Sequence, residues 1–379
     1  MRDDTDLDLL AERLNATTVD GPSAGNGRLP DLLRSLAAEH GSDVLLVAGE
    51  PPVIRVHGAL RRLPSAVLDG DDIVDTVLPC LPAHAQQQFR RDGIADAGLR
   101  VAGTGRFRVN LHHERGRAAA SIRALPTHVP ELASLGLPDS VSSLATLAHG
   151  LVLVGGAAGS GKSTTVAALV NEINRRDAKH IITIEDPIDY EHTNGRSVIE
   201  QIEIGVDAPD FPTALRAALR QAPEVIVIGE MRDPETMNIA LAAGETGHLV
   251  FSTLHTSGLA GTVARIADSF VAERQPTIRQ ELAMALSAVF TQMLLPTSSG
   301  RRVPAAELLM VSYGARQHIR KNAVQHLHQE IALTRKLGSF SLEESLVRLV
   351  RQGLVPEADA LLRATHPDEF KHLLDTLPH

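Results

Sequence analysis

The chain has 379 residues, enough for two or three domains with ample cores, and 43% of them are apolar, which excludes a disordered chain. The formal net charge of -9 and the 3% aromatic content, with no Trp, argue against a nucleic-acid partner, which wants a basic excess and stacking rings. Cys80 is the single cysteine, so an internal disulfide and a cysteine-cluster zinc site are excluded, and no zinc is expected.

The first residues, "MRDDTDLDLLAERL", lack the basic-then-apolar order of a secretory signal, and no run of 18 apolar residues follows anywhere, so a cytoplasmic protein is expected. Residues 1–28 end in a Gly/Ser/Asn-rich stretch and read as a mobile leader. An amphipathic helix is expected from Leu29 to about His40. "VIRV" and "ALRRL", separated by His57-Gly58, read as a hairpin, and a helical segment follows near 71–92. "GRFRVNLHHERGRAAASIRAL" alternates as paired strands do. Residues 29–126 therefore read as a small α+β domain, and the Pro-rich 127–149 stretch as a linker.

From residue 150 the pattern changes to short apolar runs alternating with helical segments. "LVLVGG", "HIITIED", "VIVIGE" and "LVFSTLH" are the runs, with helices expected near 161–176, 211–221 and 234–245. This alternation predicts an α/β core at 150–300 with a mostly parallel sheet covered on both faces. Beyond about Ser257 the apolar spacing reads as largely helical, so 301–379 is expected to be a C-terminal helical region.

"GAAGSGKS" fits G-x-x-x-x-G-K-S between a strand and a helix. The backbone N–H groups of Gly156, Ala157, Ala158, Gly159, Ser160 and Gly161 would cradle phosphates at a helix N-terminus. Lys162 would reach the β- and γ-phosphates of ATP, the Ser163 hydroxyl would ligate Mg²⁺, and Thr164 completes the loop. In an open α/β sheet the ligand lies beyond the carboxyl ends of the strands. Three further strand ends carry chemistry: Glu185 and Asp186 in "TIEDP", Glu230, Arg232 and Asp233 in "VIGEMRD", and His255 in "FSTLHT". Each alone is commonly a solvated loop residue or a satisfied hydrogen-bond partner. Together, two Glu offer one carboxylate to orient water and another to hold Mg²⁺.

"GSGKST", "TIEDPI", "LRAALRQAPEVIVIGEMRD" and "ETGHLVFSTLHT" resemble, in order, the Walker A, Asp box, Walker B and His box of the secretion and type IV pilus motor ATPases. Within that superfamily the chain is most similar to the PilT-type retraction ATPases of twitching motility, from about residue 30 to 355. "PPVIRVHGALRRL", "GRFRVN" and "IRALP" resemble the family's PAS-like N-terminal domain, and "ARQHIR" stands where a retraction-associated motif occurs. The resemblance implies a RecA-like P-loop NTPase core and a homohexamer. It also implies attachment at the inner face of the cytoplasmic membrane, where an inner-membrane platform protein is driven to retract pili. The same resemblance makes Glu185 the catalytic glutamate and Glu230 the Walker B acid near Mg²⁺. It makes His248 and His255 the His-box histidines, with His255 the γ-phosphate sensor, and makes Arg108 and Arg123 arginines that reach toward nucleotide phosphates. Departures are Ala157-Ala158 for Pro-Thr in the loop, Ala222 for an Asp, Asp189 for a Glu, Leu45 for a His, and a degenerate "GARQHIR". A pilus-assembly or type II secretion ATPase is the alternative, disfavoured by the lack of a tetracysteine insert; a DNA translocase is a more distant one.

Overall fold

Leu29, Leu33 and Leu36 recur at helical spacing and form the buried stripe of α1 (Arg28–Ala38) in the computed structural model, which describes residues 28–298 and 300–376. All of the expected leader except Arg28 lies outside the described residues. The chain divides between His128 and Val129 into two units.

In the first unit six strands follow the order β3-β2-β1-β6-β5-β4, every neighbour antiparallel. They are β1 (Asp43–Val47), β2 (Val53–Val56), β3 (Ala59–Arg62), β4 (Ala95–Val101), β5 (Gly105–Glu114) and β6 (Arg117–Ala124). His57 and Gly58, both with positive φ (48° and 83°), make the two-residue turn between β2 and β3, whose twist suits a hairpin. Helices α2 (Gly70–Val77) and α3 (Ala83–Asp92) join α1 in covering one sheet face, through Ile73, Val77 and Phe89 against Val44, Phe107 and Ile122. α2 is held at its start by a capping box between Asp69 and Asp72. The alternation of β5 turns Phe107, Val109 and Leu111 inward and Arg108 outward. β4, "ADAGLRV", is a strand that β-propensity conceals, because Ala, Asp and Gly are poor strand formers.

The second unit holds a seven-stranded sheet in the order β13-β12-β7-β11-β10-β8-β9. Its strands are β7 (Gly150–Gly155), β8 (His180–Glu185), β9 (Val198–Glu203), β10 (Val225–Ile228), β11 (Leu249–Leu254), β12 (Leu286–Pro296) and β13 (Arg302–Met310). All pairs are parallel except β12 with β13. Alternate residues of the inner strands feed two different cores. Leu151, Leu153, Ile226 and Ile228 meet helices α5 (Phe211–Ala218), α6 (Pro234–Glu245), α7 (Gly258–Asp268) and α8 (Gln275–Ala285). Val152, Val154, Val227 and Phe251 meet α4 (Lys162–Arg176) on the other face. Burial on both faces is why these strands read as unbroken apolar runs.

The fold is thus α/β, with a RecA-like sheet in the second unit. The 129–149 stretch packs into the second unit: Leu137, Val141, Leu144 and Ala145 are buried against Val166 and Ile173. The helical reading beyond Ser257 needs correction. β12 and β13 pair over nine residues there; the polar Ser287, Thr291 and Gln292 of "LSAVFTQMLLP" together follow neither the helical nor the strand period, so the segment carries no clear signal to tell helix from strand. The helices that follow are α9 (Tyr313–Arg320), α10 (Leu327–Thr334), α11 (Leu342–Arg351), α12 (Glu357–Leu361) and α13 (Pro367–Thr376). The last three gather around Leu346, Val347 and Phe370, beside Leu295 and Ala305 of the β12–β13 pair.

Candidate nucleotide site

Because β7, β8, β10 and β11 run parallel, their carboxyl ends share one sheet edge, and each hands over a functional segment there. β7 runs into the glycine-rich loop. Gly156 has φ 151°, and a Cβ on it would collide with Ser160 Oγ and the Gln292 carbonyl. Gly161, the N-cap of α4 at φ 94°, would put a Cβ 2.6 Å from Gln292 Nε2. Those two positions admit only glycine, and the loop between them is held open as a backbone cradle.

Lys162 opens α4 with its side chain buried; Nζ donates to the carbonyls of Gly156 (2.8 Å) and Ala157 (2.9 Å) and lies 3.4 Å from His255 Nδ1. Burial pulls its ammonium below the ordinary lysine range, opposed by the nearby Glu230 carboxylate. Ser160 Oγ is buried with no partner, an orphan hydroxyl facing a cradle built for phosphate oxygens. Ser163 is exposed at the first turn of α4, and Thr164 Oγ1 is 2.9 Å from the Tyr190 hydroxyl. The donor set fits a nucleotide polyphosphate, and the Ser163 hydroxyl with Glu230 fits a hard divalent cation.

His255, just past β11, links the loop to β10: its Nε2 stands 3.6 Å from Glu230 Oε1, while Glu230 Oε2 accepts from Arg232 at 2.9 Å. Asp233 is committed elsewhere, capping α6 through Thr236 N–H (2.8 Å) and Thr236 Oγ1 (2.6 Å). Two strands, β11 and β10, stand between β7 and β8. Glu185 ends β8, and the Gly229 N–H after β10 donates to the Ile184 carbonyl (2.8 Å), tying the two strand ends together. Glu185 accepts from Thr183 Oγ1 (2.7 Å), Gln201 Nε2 (3.3 Å) and, more weakly, the Asp189 N–H (3.4 Å). Desolvation outweighs these bonds and pushes its carboxyl up to about 7, which a proton acceptor working near neutrality needs.

Within the second unit, one expected residue stands apart from this cluster. His248 precedes β11, whose first residue pairs with the first of β7, so it lies at the opposite sheet edge, about 20 Å away by strand rise. Its Nδ1 bonds the Ala243 carbonyl at 3.1 Å. Arg108 and Arg123 belong to the first unit, where they face each other across β5 and β6 on the sheet face away from the helices. There Arg123 pairs with Asp43 (3.0 Å) and Arg108 approaches Asp96 (4.0 Å).

Two residues escape the sequence reading. Gln292 of β12 accepts from Thr165 Oγ1 (2.7 Å) and donates to the Ser160 carbonyl (2.8 Å), both buried. Gln201 of β9 bonds both Glu185 and the Tyr190 carbonyl (2.8 Å). No local signal points to either: Gln292 is 132 residues from the Ser160 it supports, and Gln201 meets Glu185 only through the pairing of β8 with β9.

Parallel strands ending in a glycine-rich cradle, a buried lysine and two carboxylates define a P-loop ATPase. The family model described as "Type II/IV secretion system protein" matches residues 103–362. The chain is 38% identical to a twitching motility protein of Neisseria gonorrhoeae, covering 89% of this chain and 91% of that one. It is 37% identical to the type IV pilus retraction ATPase PilT of Pseudomonas aeruginosa, covering 90% and 99%. A crystal structure of the pilus retraction motor PilT with bound ADP superposes with a TM-score of 0.82 at 38% identity, over 91% of this chain and 99% of that one. The chain belongs to the type II/IV secretion system protein family, and within it is a nucleotide-binding ATPase similar to PilT.

Proposed function

We propose that the protein is a hexameric motor that hydrolyses ATP to retract type IV pili by driving an inner-membrane platform protein. The observation that carries the chemistry is the shared sheet edge where His255 stands between Lys162 and Glu230 and burial pushes the Glu185 carboxyl up to about 7. The likeness to PilT along nearly the whole chain supports the retraction assignment. Among the described residues no helix is long and apolar enough to cross a membrane, which is compatible with peripheral attachment at its inner face.

The loop N–H groups and Lys162 bind the β- and γ-phosphates and stabilise charge that spreads over the transferred group. Ser163 and the Glu230 carboxylate would hold Mg²⁺, which would supply further charge neutralisation. Glu185 orients the attacking water and accepts its proton; Thr183 and Gln201 hold that carboxylate in place. His255, between Lys162 and Glu230, reads whether the γ-phosphate is present. In a ring, Arg108 and Arg123 act on nucleotide phosphates.

Deleting the gene and counting surface pili tests the assignment. Hyperpiliated cells without twitching are expected. Bald cells would mean assembly instead, and unchanged pili with a transport defect would mean secretion.

A further inference from the structure

Away from the nucleotide site, one cluster of side chains has no role in ATP chemistry. His328 on α10, Glu343 in the first turn of α11, His366 just before α13 and Glu369 in its first turn each offer one ligand atom, and these atoms all lie within 4.8 Å of one another. His328 Nε2 is 2.7 Å from Glu369 Oε2, and His366 Nδ1 is 3.6 Å from Glu343 Oε1. The two imidazole rings stack at 3.9 Å between centroids. The Glu343 side chain is 1% exposed. Its Oε1 accepts the His366 N–H (2.8 Å), but its Oε2 is buried with no partner.

Ordinary ion pairing does not satisfy this arrangement. The pairings with the two imidazoles leave Glu343 Oε2 buried without a partner. Leaving the imidazoles neutral strands a buried carboxylate oxygen and two nearby negative charges. A divalent cation removes both problems: it neutralises two carboxylates, takes lone pairs from two neutral imidazoles and gives the orphan oxygen a partner.

We propose that His328, Glu343, His366 and Glu369 form a tetrahedral site for a divalent transition metal of the zinc class. Four N/O ligands with metal bonds near 2.1 Å stand roughly 3.4 Å apart. The cluster is therefore about 1.4 Å loose at its widest, which side-chain adjustment within a rotamer closes. Mg²⁺ is a poor match, since it prefers six oxygens and few nitrogens. The ligands come from three separate helices, so the ion would staple α10, α11 and α13 together. The expectation of no zinc rested on the cysteine count, and that count speaks only to thiolate ligands.

The test uses the full-length, untagged, nucleotide-free protein, stripped with a chelator and titrated with Zn²⁺ in competition with a fluorescent chelator. One Zn²⁺ per chain is expected to bind, raising the melting temperature, with Mg²⁺ producing no comparable shift. Co²⁺ should give the intense visible absorption of a tetrahedral site. The His366→Asn/Glu369→Gln variant should bind at least about a hundredfold more weakly and lose the melting shift. His328→Gln, on a different helix, should do the same if the double variant proves unfolded by circular dichroism. Absence of a tight equivalent, an octahedral Co²⁺ spectrum, or wild-type Zn²⁺ affinity in a folded variant would overturn the site.

Discussion

Glu185→Gln separates two consequences of one buried carboxyl. The group rises from 4.5 to about 7 on folding. Each pH unit of such a rise is worth about 1.4 kcal/mol, so ionised Glu185 costs about 3 kcal/mol of stability at pH 8.5. The stabilising term is fully present below pH 4.5 and is lost as pH climbs through 7. Glutamine is isosteric and uncharged, keeps the acceptor for Thr183, and forgoes the weak Asp189 N–H contact, a loss of about 1 kcal/mol. The net gain at pH 8.5 is about 2 kcal/mol, or roughly 4–8 °C in melting temperature for a unit of this size. At pH 4.5 the gain should vanish. Paired thermal melts of wild type and variant across this pH range measure it, while ATP turnover of the variant should fall at least about 100-fold with near-normal ATP binding. A melting shift equal at both pH values would refute the desolvated-carboxyl reasoning, and unchanged turnover would remove Glu185 from the reaction.

Wild-type turnover should rise about tenfold per pH unit below 7 and level off above it, following the ionisation of Glu185; a flat profile would contradict this. His192, pushed down to about 4 by burial, has the opposite linkage: its stability is full above pH 6.5 and is lost as pH falls toward 4. The two groups therefore offset one another near pH 4.5–6.5, and Glu185→Gln should unmask an acid-side loss of stability that a pH series of melts would detect. Gln292→Ala strands a buried hydroxyl and a buried carbonyl and should cost about 3 kcal/mol, with weakened nucleotide binding; denaturant melts and fluorescent-nucleotide titration check both. Arg123→Ala should leave the fold intact, because its bond to Asp43 is exposed, yet lower turnover by ~10³ or more if the proposed ring forms. Equal activity per subunit before and after dilution below ring assembly would argue against an arginine acting between subunits.

The P-loop was legible because all its chemistry is contiguous: the glycines, Lys162 and Ser163 occupy eight residues between a strand and a helix. Glu185, Glu230 and His255 were legible by a different rule, each standing at the carboxyl end of an apolar run. His248 came from the resemblance alone; it lies before its strand rather than after it, where the rule does not reach. Gln201 and Gln292 were illegible because partners that meet only through the pairing of strands leave no spacing to read. β9, "VIEQIE", interleaves charged residues at a sheet edge and reads as loop, while the polar residues of β12 together follow neither the helical nor the strand period. The metal cluster lay beyond reach for the same reason as Gln292: its members are scattered over three helices and meet only in the folded chain.

Gln292 also sets what the phosphate loop is mechanically attached to. Its side chain clasps the loop and the first turn of α4, and its backbone pairs opposite Ala306 of β13. The Ala306 N–H in turn donates to Ser345 Oγ of α11 at 3.2 Å. The loop is thus fastened to a strand pair that also carries the C-terminal helices. Any displacement of the cradle when a nucleotide seats is passed to that end of the molecule through the β12–β13 pair, which is hydrogen-bonded to the loop by Gln292 and to α11 by Ala306.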